Sequence, residues 1–184
     1  MKLFFTLFLC CLIFSSCNES SALAKEFSCS NIKFSGDLEH NTDIKKTFSI
    51  QIPKHWKTNL FYNDLQSSIY FADTTKQLTE SVLIDITHIK SDYKFDTAFK
   101  KSISTNDSIQ QLVNSKKAQF SFLENNAFYA VSKGKKGNFP YQIVNIFIHK
   151  NSINSYHIKT EIYGNAHINE RLCKAINLIN TLEL

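Results

Sequence analysis

From Thr47 onward, hydrophobic and polar positions alternate with a period of two. Phe48, Ile50 and Ile52 fall on one side and Ser49 and Gln51 on the other, so a strand is predicted that ends at Pro53. A second strand is read over 67–72. In a third, Val82, Ile84, Ile86 and His88 alternate with Leu83, Asp85, Thr87 and Ile89, and the polar link 73–80 suits a loose hairpin. The period then changes. Phe95, Ala98, Phe99 and Ile103 share a helical face, with Asp92 as the expected cap and a second short helix expected over 107–113. Alternation resumes over 119–123. Asn125 and Asn126 read as a turn, and 127–132 as the returning strand. Residues 139–150 and 155–163 form a final hairpin. Over 167–184, Ile168, Leu172, Ala175, Ile176, Ile179 and Leu182 make one apolar stripe, the strongest helical signal in the chain. Between Cys29 and Asp43 the pattern is mixed and polar, and the segment reads as irregular or as one short strand around 31–34.

The final hairpin sets the layer count. Pairing Ile148 with Ile158 puts Val144 opposite Ile162 and gives a core face. The other face then pairs His149 with His157, Phe147 with Lys159, Asn145 with Glu161 and Ile143 with Tyr163. That second face carries Phe147, Ile143 and Tyr163, so it too needs cover. The expectation is an α+β fold: a three-layer α/β/α sandwich around a mostly antiparallel sheet of six or seven strands.

Ahead of this domain, Lys2 precedes a run over 3–14 that is apolar except for Thr6. The run is shorter than the roughly 20 residues a spanning helix needs, and it reads as the apolar part of a secretory signal. The tetrapeptide Phe14-Ser15-Ser16-Cys17 resembles a bacterial lipobox, with Phe14 where Leu is commoner. The resemblance implies a signal peptide over 1–16, a lipidated Cys17 with a tether over 17–28, and one globular domain over 29–184. Asn18 rather than Asp after the cysteine favours the outer membrane. Of the five cysteines, Cys10 and Cys11 would leave with the signal and Cys17 would carry lipid. Cys29 and Cys173 remain, either as two buried thiols or, in an oxidising compartment, as a bridge.

Composition narrows the partners. The chain has 184 residues, 43% hydrophobic, which excludes a disordered chain, and a net charge of +5. Loss of the signal removes Lys2 alone among the charged residues, so +5 becomes +4 over 168 residues. This mild excess fits weak attraction to an anionic lipid surface. It does not fit a nucleic-acid binder, and no aromatic residues are interleaved for base stacking.

The Ile52-Pro53-x-x-Trp56 segment, with an order of two strands, helices, four strands and a closing helix, resembles the PsbP-like superfamily over 47–184. That superfamily includes extrinsic photosystem II subunits, a Ran-binding nuclear import factor and bacterial envelope lipoproteins. Its members share a fold rather than one activity, so the resemblance implies architecture and carries no site residues. Where the family often has Gly before the strand at 127–132, this chain has Asn125 and Asn126.

Candidate chemistry is sparse. His149 and His157, if opposite each other, could share a metal, with Glu161 the nearest further ligand. His167 with Glu170, and His40 with Glu39 and Asp43, are two looser clusters; Glu170 equally suits the helix dipole. After Cys17 there is no Gly-x-Ser-x-Gly, His-Glu-x-x-His or Cys-x-x-Cys. Lys133, Lys135 and Lys136 crowd a connector over 133–138 that reads as a solvated tip or a contact for anionic lipid or glycan. Trp56 reads as a core or rim anchor. The sequence therefore points to a lipid-anchored envelope protein with a binding or accessory domain, held at the bilayer through Cys17 beside an envelope protein partner, with no cofactor. The alternatives are an envelope hydrolase or metal enzyme using His149 and His157, and an immunity or assembly lipoprotein. The surfaces expected to work are the sheet edge, the 133–138 connector and the hairpin tip at 151–154.

Overall fold

The computed structural model describes residues 21–30, 34 and 36–184. Cys17, the signal and most of the strand expected around 31–34 lie outside the described residues. Among those described, the order is α1 (Ala22–Glu26), β1 (Leu38–Thr42), β2 (Ser49–Pro53), β3 (Lys57–Tyr62), β4 (Gln66–Ala72), β5 (Leu83–Ile89), α2 (Thr97–Ile109), β6 (Val113–Phe122), β7 (Asn125–Lys136), β8 (Phe139–Asn151), β9 (Asn154–Tyr163) and α3 (Ile168–Ile179). Seven strands form one antiparallel sheet in the order β3-β4-β5-β9-β8-β7-β6, and β1 and β2 form a separate ribbon. No helix among the described residues is long and apolar enough to cross a membrane.

Strict alternation divides the sheet into two faces. The inner face sends Ile69, Phe71, Ile84, Ile86, Ile146, Ile148, Ile158 and Ile162 into one continuous core beneath α3, α1 and the β1–β2 ribbon. On the outer face, α2 lays Phe99 and Ile103 over Phe128, Ala130 and Phe147, with Phe95 beside them. Helices therefore cover both faces, as the apolar residues on the second face required. The outer helix covers only the β6–β7–β8 half, and the β4–β5–β9 half shows Tyr70, Asp85 and Lys159.

Several elements differ from expectation. The segment over 17–28, read as a tether, contains α1 from residue 22 onward. Ser21 caps α1 by accepting from the Ala24 amide at 3.0 Å, and Leu23 and Ala24 are 0% and 1% exposed in the core. The fold thus begins before Cys29. Residues 95–103 do form a helix, but Asp96 rather than Asp92 caps it, accepting from the Phe99 amide at 2.8 Å. The two expected helices are one, ended by Gln111 at φ 56°, and Val113 already belongs to β6. The β6–β7 turn lies at Leu123 and Glu124, both at positive φ (50° and 60°), a pairing that matches the right-handed twist of flanking strands; Asn125 and Asn126 are in β7. The last five residues leave α3, and Glu183 and Ser49 of the ribbon exchange backbone hydrogen bonds of 2.9 and 3.0 Å.

The β8–β9 register is displaced by two residues from the one expected. Ile146 faces Ile158, Ile148 faces Tyr156, Phe147 faces His157 and His149 faces Ser155. The cause is a tight turn at residues 152–153. There Asn151 Oδ1 accepts from the Ile153 amide at 3.1 Å and from Asn154 Nδ2 at 3.2 Å, and an irregularity between His149 and Asn151 absorbs the offset. A shift of two preserves the faces and changes every cross-strand neighbour.

Cys29 and Cys173 are joined by a disulfide with a Cα–Cα distance of 5.3 Å across a sequence separation of 144. It fixes the segment after α1 to the first half of α3.

Candidate functional site

The shifted register separates the two histidines offered as a metal pair. The His157 ring lies flat on Phe147, with centroids 4.4 Å apart and planes 5° from parallel, and its Nε2 is 2.9 Å from Asn145 Oδ1. Burial, with Lys159 nearby, pushes its pKa down to about 4, so the imidazole is neutral in ordinary conditions. His149 turns to the loop before α2, with Nδ1 3.1 Å from Asp92 Oδ1. The pair does not converge, and among the described residues no group of three or more His, Cys, Asp or Glu side chains is placed to hold a metal.

The other clusters are also spoken for. Asp43 is 2% exposed and accepts from the amides of Lys45, Thr47 and Phe48 at 3.0, 2.5 and 2.9 Å. Burial opposes its charge, yet these amides and the neighbouring Ser67 hydroxyl hold its pKa below the usual carboxylate range. His40 and Glu39 are exposed on β1, where successive side chains point to opposite faces. His167 takes a left-handed conformation as the N-cap of α3, 3.6 Å from Glu170, which also pairs with Lys174 at 3.0 Å; all three stand at the surface or close to it.

Lys136 departs from the picture of a solvated connector. Strand β7 continues through it, and its ammonium is 3.0 Å from Glu161, with the rings of Tyr141 and Tyr163 at 5.0 and 5.5 Å. Tyr141 donates to the same Glu161 oxygen. Burial would raise the Glu161 pKa, but the Tyr141 and Lys136 hydrogen bonds reverse that and hold it low. The Tyr141 phenol, buried and bonded to a carboxylate, is pushed well above its ordinary value.

Two clefts remain. One, of about 610 Å³, opens at the N-terminus of α3 beside Lys133, Tyr141 and Gln142. The other, of about 360 Å³, lies where the Pro53-x-x-Trp56 segment meets α3. Trp56 and Phe34 supply its aromatic wall, and His55, Lys76 and Lys174 stand with Glu80 around Arg171. Both volumes are in the range of small-ligand sites. Arg171 is the only arginine among 21 cationic residues, and it is 4% exposed. Its Nη1 donates to the carbonyls of Ser81 at 2.9 Å and Tyr163 at 2.8 Å, and Nη2 reaches Gly164 O at 3.5 Å. One planar, multi-donor head thus gathers the start of β5 and the end of β9 onto α3, a task for which lysine lacks the geometry. Sequence reading passed over Arg171 inside the apolar stripe of α3; its uniqueness in a lysine-rich chain was the available signal.

No family model matches the chain, and no curated protein does. Among solved structures, cyanobacterial PsbP (CyanoP) of Synechocystis superposes with a TM-score of 0.52 at 7% identity, over 85% of this chain and 96% of that one. The fold is PsbP-like. The Ran-binding protein Mog1p of Saccharomyces cerevisiae gives 0.50 at 10% identity, over 81% of this chain and 96% of that one. A crystal structure from Bacteroides thetaiotaomicron gives 0.48 at 14% identity, and this chain spans about half of it, 48%. At such identities the likeness concerns architecture alone. Within this PsbP-like fold, Trp56 closes the core beside Phe71, with ring centroids 6.1 Å apart, at 9% exposure. The local motif is therefore a core anchor that also walls the smaller cleft.

Proposed function

We propose that this chain is a lipid-anchored protein of the bacterial cell envelope whose PsbP-like domain binds a partner rather than catalyses a reaction. The observation that carries the reading is the small-small-cysteine sequence Ser15-Ser16-Cys17 directly behind the apolar run over 3–14. The Cys29–Cys173 bond supports it, since such bonds persist outside the reducing cytoplasm. Acyl chains on Cys17 confine the domain to a surface and raise the effective concentration of any partner there. The cleft beside Arg171 and Trp56 suits recognition: it has an aromatic wall and flanking cations. The hydrolase alternative loses its footing where His149 and His157 take separate partners.

The test is affinity capture from detergent-solubilised membranes with the wild-type chain and a His55→Ala/Lys76→Ala variant, both positions being exposed on the cleft rim. A single stoichiometric partner, captured by the wild type and lost or weakened in the variant, is expected. Absence of any partner, or equal capture by both chains, contradicts a role for the cleft.

A further inference from the structure

One corner of the molecule exposes more apolar surface than folding explains. At the end of the sheet where β3 runs into β4, Phe61, Tyr62 and Leu65 are 57%, 65% and 65% exposed, and Leu60 is 42% exposed. Cross-strand pairing puts Leu60 and Phe61 on opposite faces, opposite Ile69 and Ser68, so the hairpin is apolar on both sides. Three neighbouring loops join it. Lys45 Nζ donates to the carbonyls of Asn63 and Asp64, which brings the 43–46 turn, with exposed Ile44 and Lys46, against the hairpin tip. The Lys90 amide donates to Leu65 O at 2.9 Å. His88 Nε2 lies 2.8 Å from Asn154 Oδ1, next to Ile153 at the tip of the β8–β9 turn, 67% exposed. The corner therefore presents Ile44, Phe61, Tyr62, Leu65 and Ile153 among Lys45, Lys46 and Lys90, with Asp64 as the exposed acid of the same turns.

We infer that this corner docks onto an anionic bilayer surface. The inference rests on the envelope reading above and adds a second, non-covalent contact to the anchor. Its chemistry is that of an interfacial site: apolar and aromatic tips that enter the headgroup boundary, with exposed Lys46 and Lys90 placed to meet lipid phosphates. A peptide partner added to the β3 edge would need pockets for alternate side chains along that strand, and neither cleft described above is lined by residues 57–66.

The test uses residues 17–184 with Cys17→Ser, so that neither an acyl chain nor the apolar run over 3–14 contributes. Co-sedimentation is measured with vesicles of phosphatidylglycerol and phosphatidylethanolamine, and with phosphatidylcholine alone. Binding to the anionic vesicles is expected. Phe61→Ser/Leu65→Ser should weaken it roughly tenfold, and Lys46→Gln/Lys90→Gln should remove much of its salt dependence. All four positions lie at the surface or close to it, and an unchanged melting curve shows that the variants fold. No sedimentation with anionic vesicles overturns the inference, as does equal binding by the Phe61/Leu65 variant, and either result turns the corner over to a protein partner. Loss of acylation in cells with vesicle binding intact removes the anchor and keeps the docking surface; the reverse removes the docking surface alone.

Discussion

His157 is the side chain whose surroundings most alter its chemistry. The ring is stacked on Phe147, bonded to Asn145 and shielded from water, so the folded state resists protonation until about pH 4. The unfolded chain takes up that proton near pH 6.5. Stability linked to His157 is thus fully present above about pH 6.5. It falls as pH drops from there toward 4 and levels off below, by an amount on the order of 3 kcal/mol. A ring-proton NMR titration should place the His157 midpoint near pH 4 in the folded protein; a midpoint near 6.5 would contradict its placement. Sequence alone could not supply this. His157 and His149 look equivalent on paper, and only the two-residue register shift sends one onto an aromatic ring and the other to Asp92. The roles of Arg171 and Glu161 were hidden for the same reason, since their partners at Ser81, Tyr163, Tyr141 and Lys136 are set by loop ends and strand register rather than by spacing.

At the scale of elements, the long central strands and the closing helix were legible because each carries a full apolar face: Ile84 and Ile86 in β5, Ile146 and Ile148 in β8, and Leu172, Ala175, Ile176 and Ile179 in α3. Strands β1 and β3 were not, because an edge or ribbon strand with mostly exposed positions leaves little alternation to read. Helix α1 was missed because five residues carry less than two turns of periodicity, and its stability comes from burial rather than propensity. That makes it testable. Leu23→Ala should cost about 2–5 kcal/mol in urea unfolding, the range for a fully buried leucine. A cost below 0.5 kcal/mol would restore the tether to the whole of 17–28.

For the whole molecule, the disulfide closes nearly the entire domain into one loop. Such a long loop is expected to stabilise by roughly 4–5 kcal/mol through the unfolded state. Reduced protein should therefore unfold at markedly lower denaturant concentration. Alkylation without prior reduction should leave Cys29 and Cys173 unlabelled, whereas labelling of both would show free thiols. The fold class and layer order were readable from pattern. The domain's beginning was not, because it depends on where Leu23 finds cover. The proposed envelope anchor rests on residues ahead of the fold, so it is best tested in cells. Radiolabelled palmitate should enter the wild-type chain, and a Cys17→Ser variant should lose the label and the anchored share of its membrane association. An unlabelled wild-type chain, or a variant that retains the label, would contradict the account.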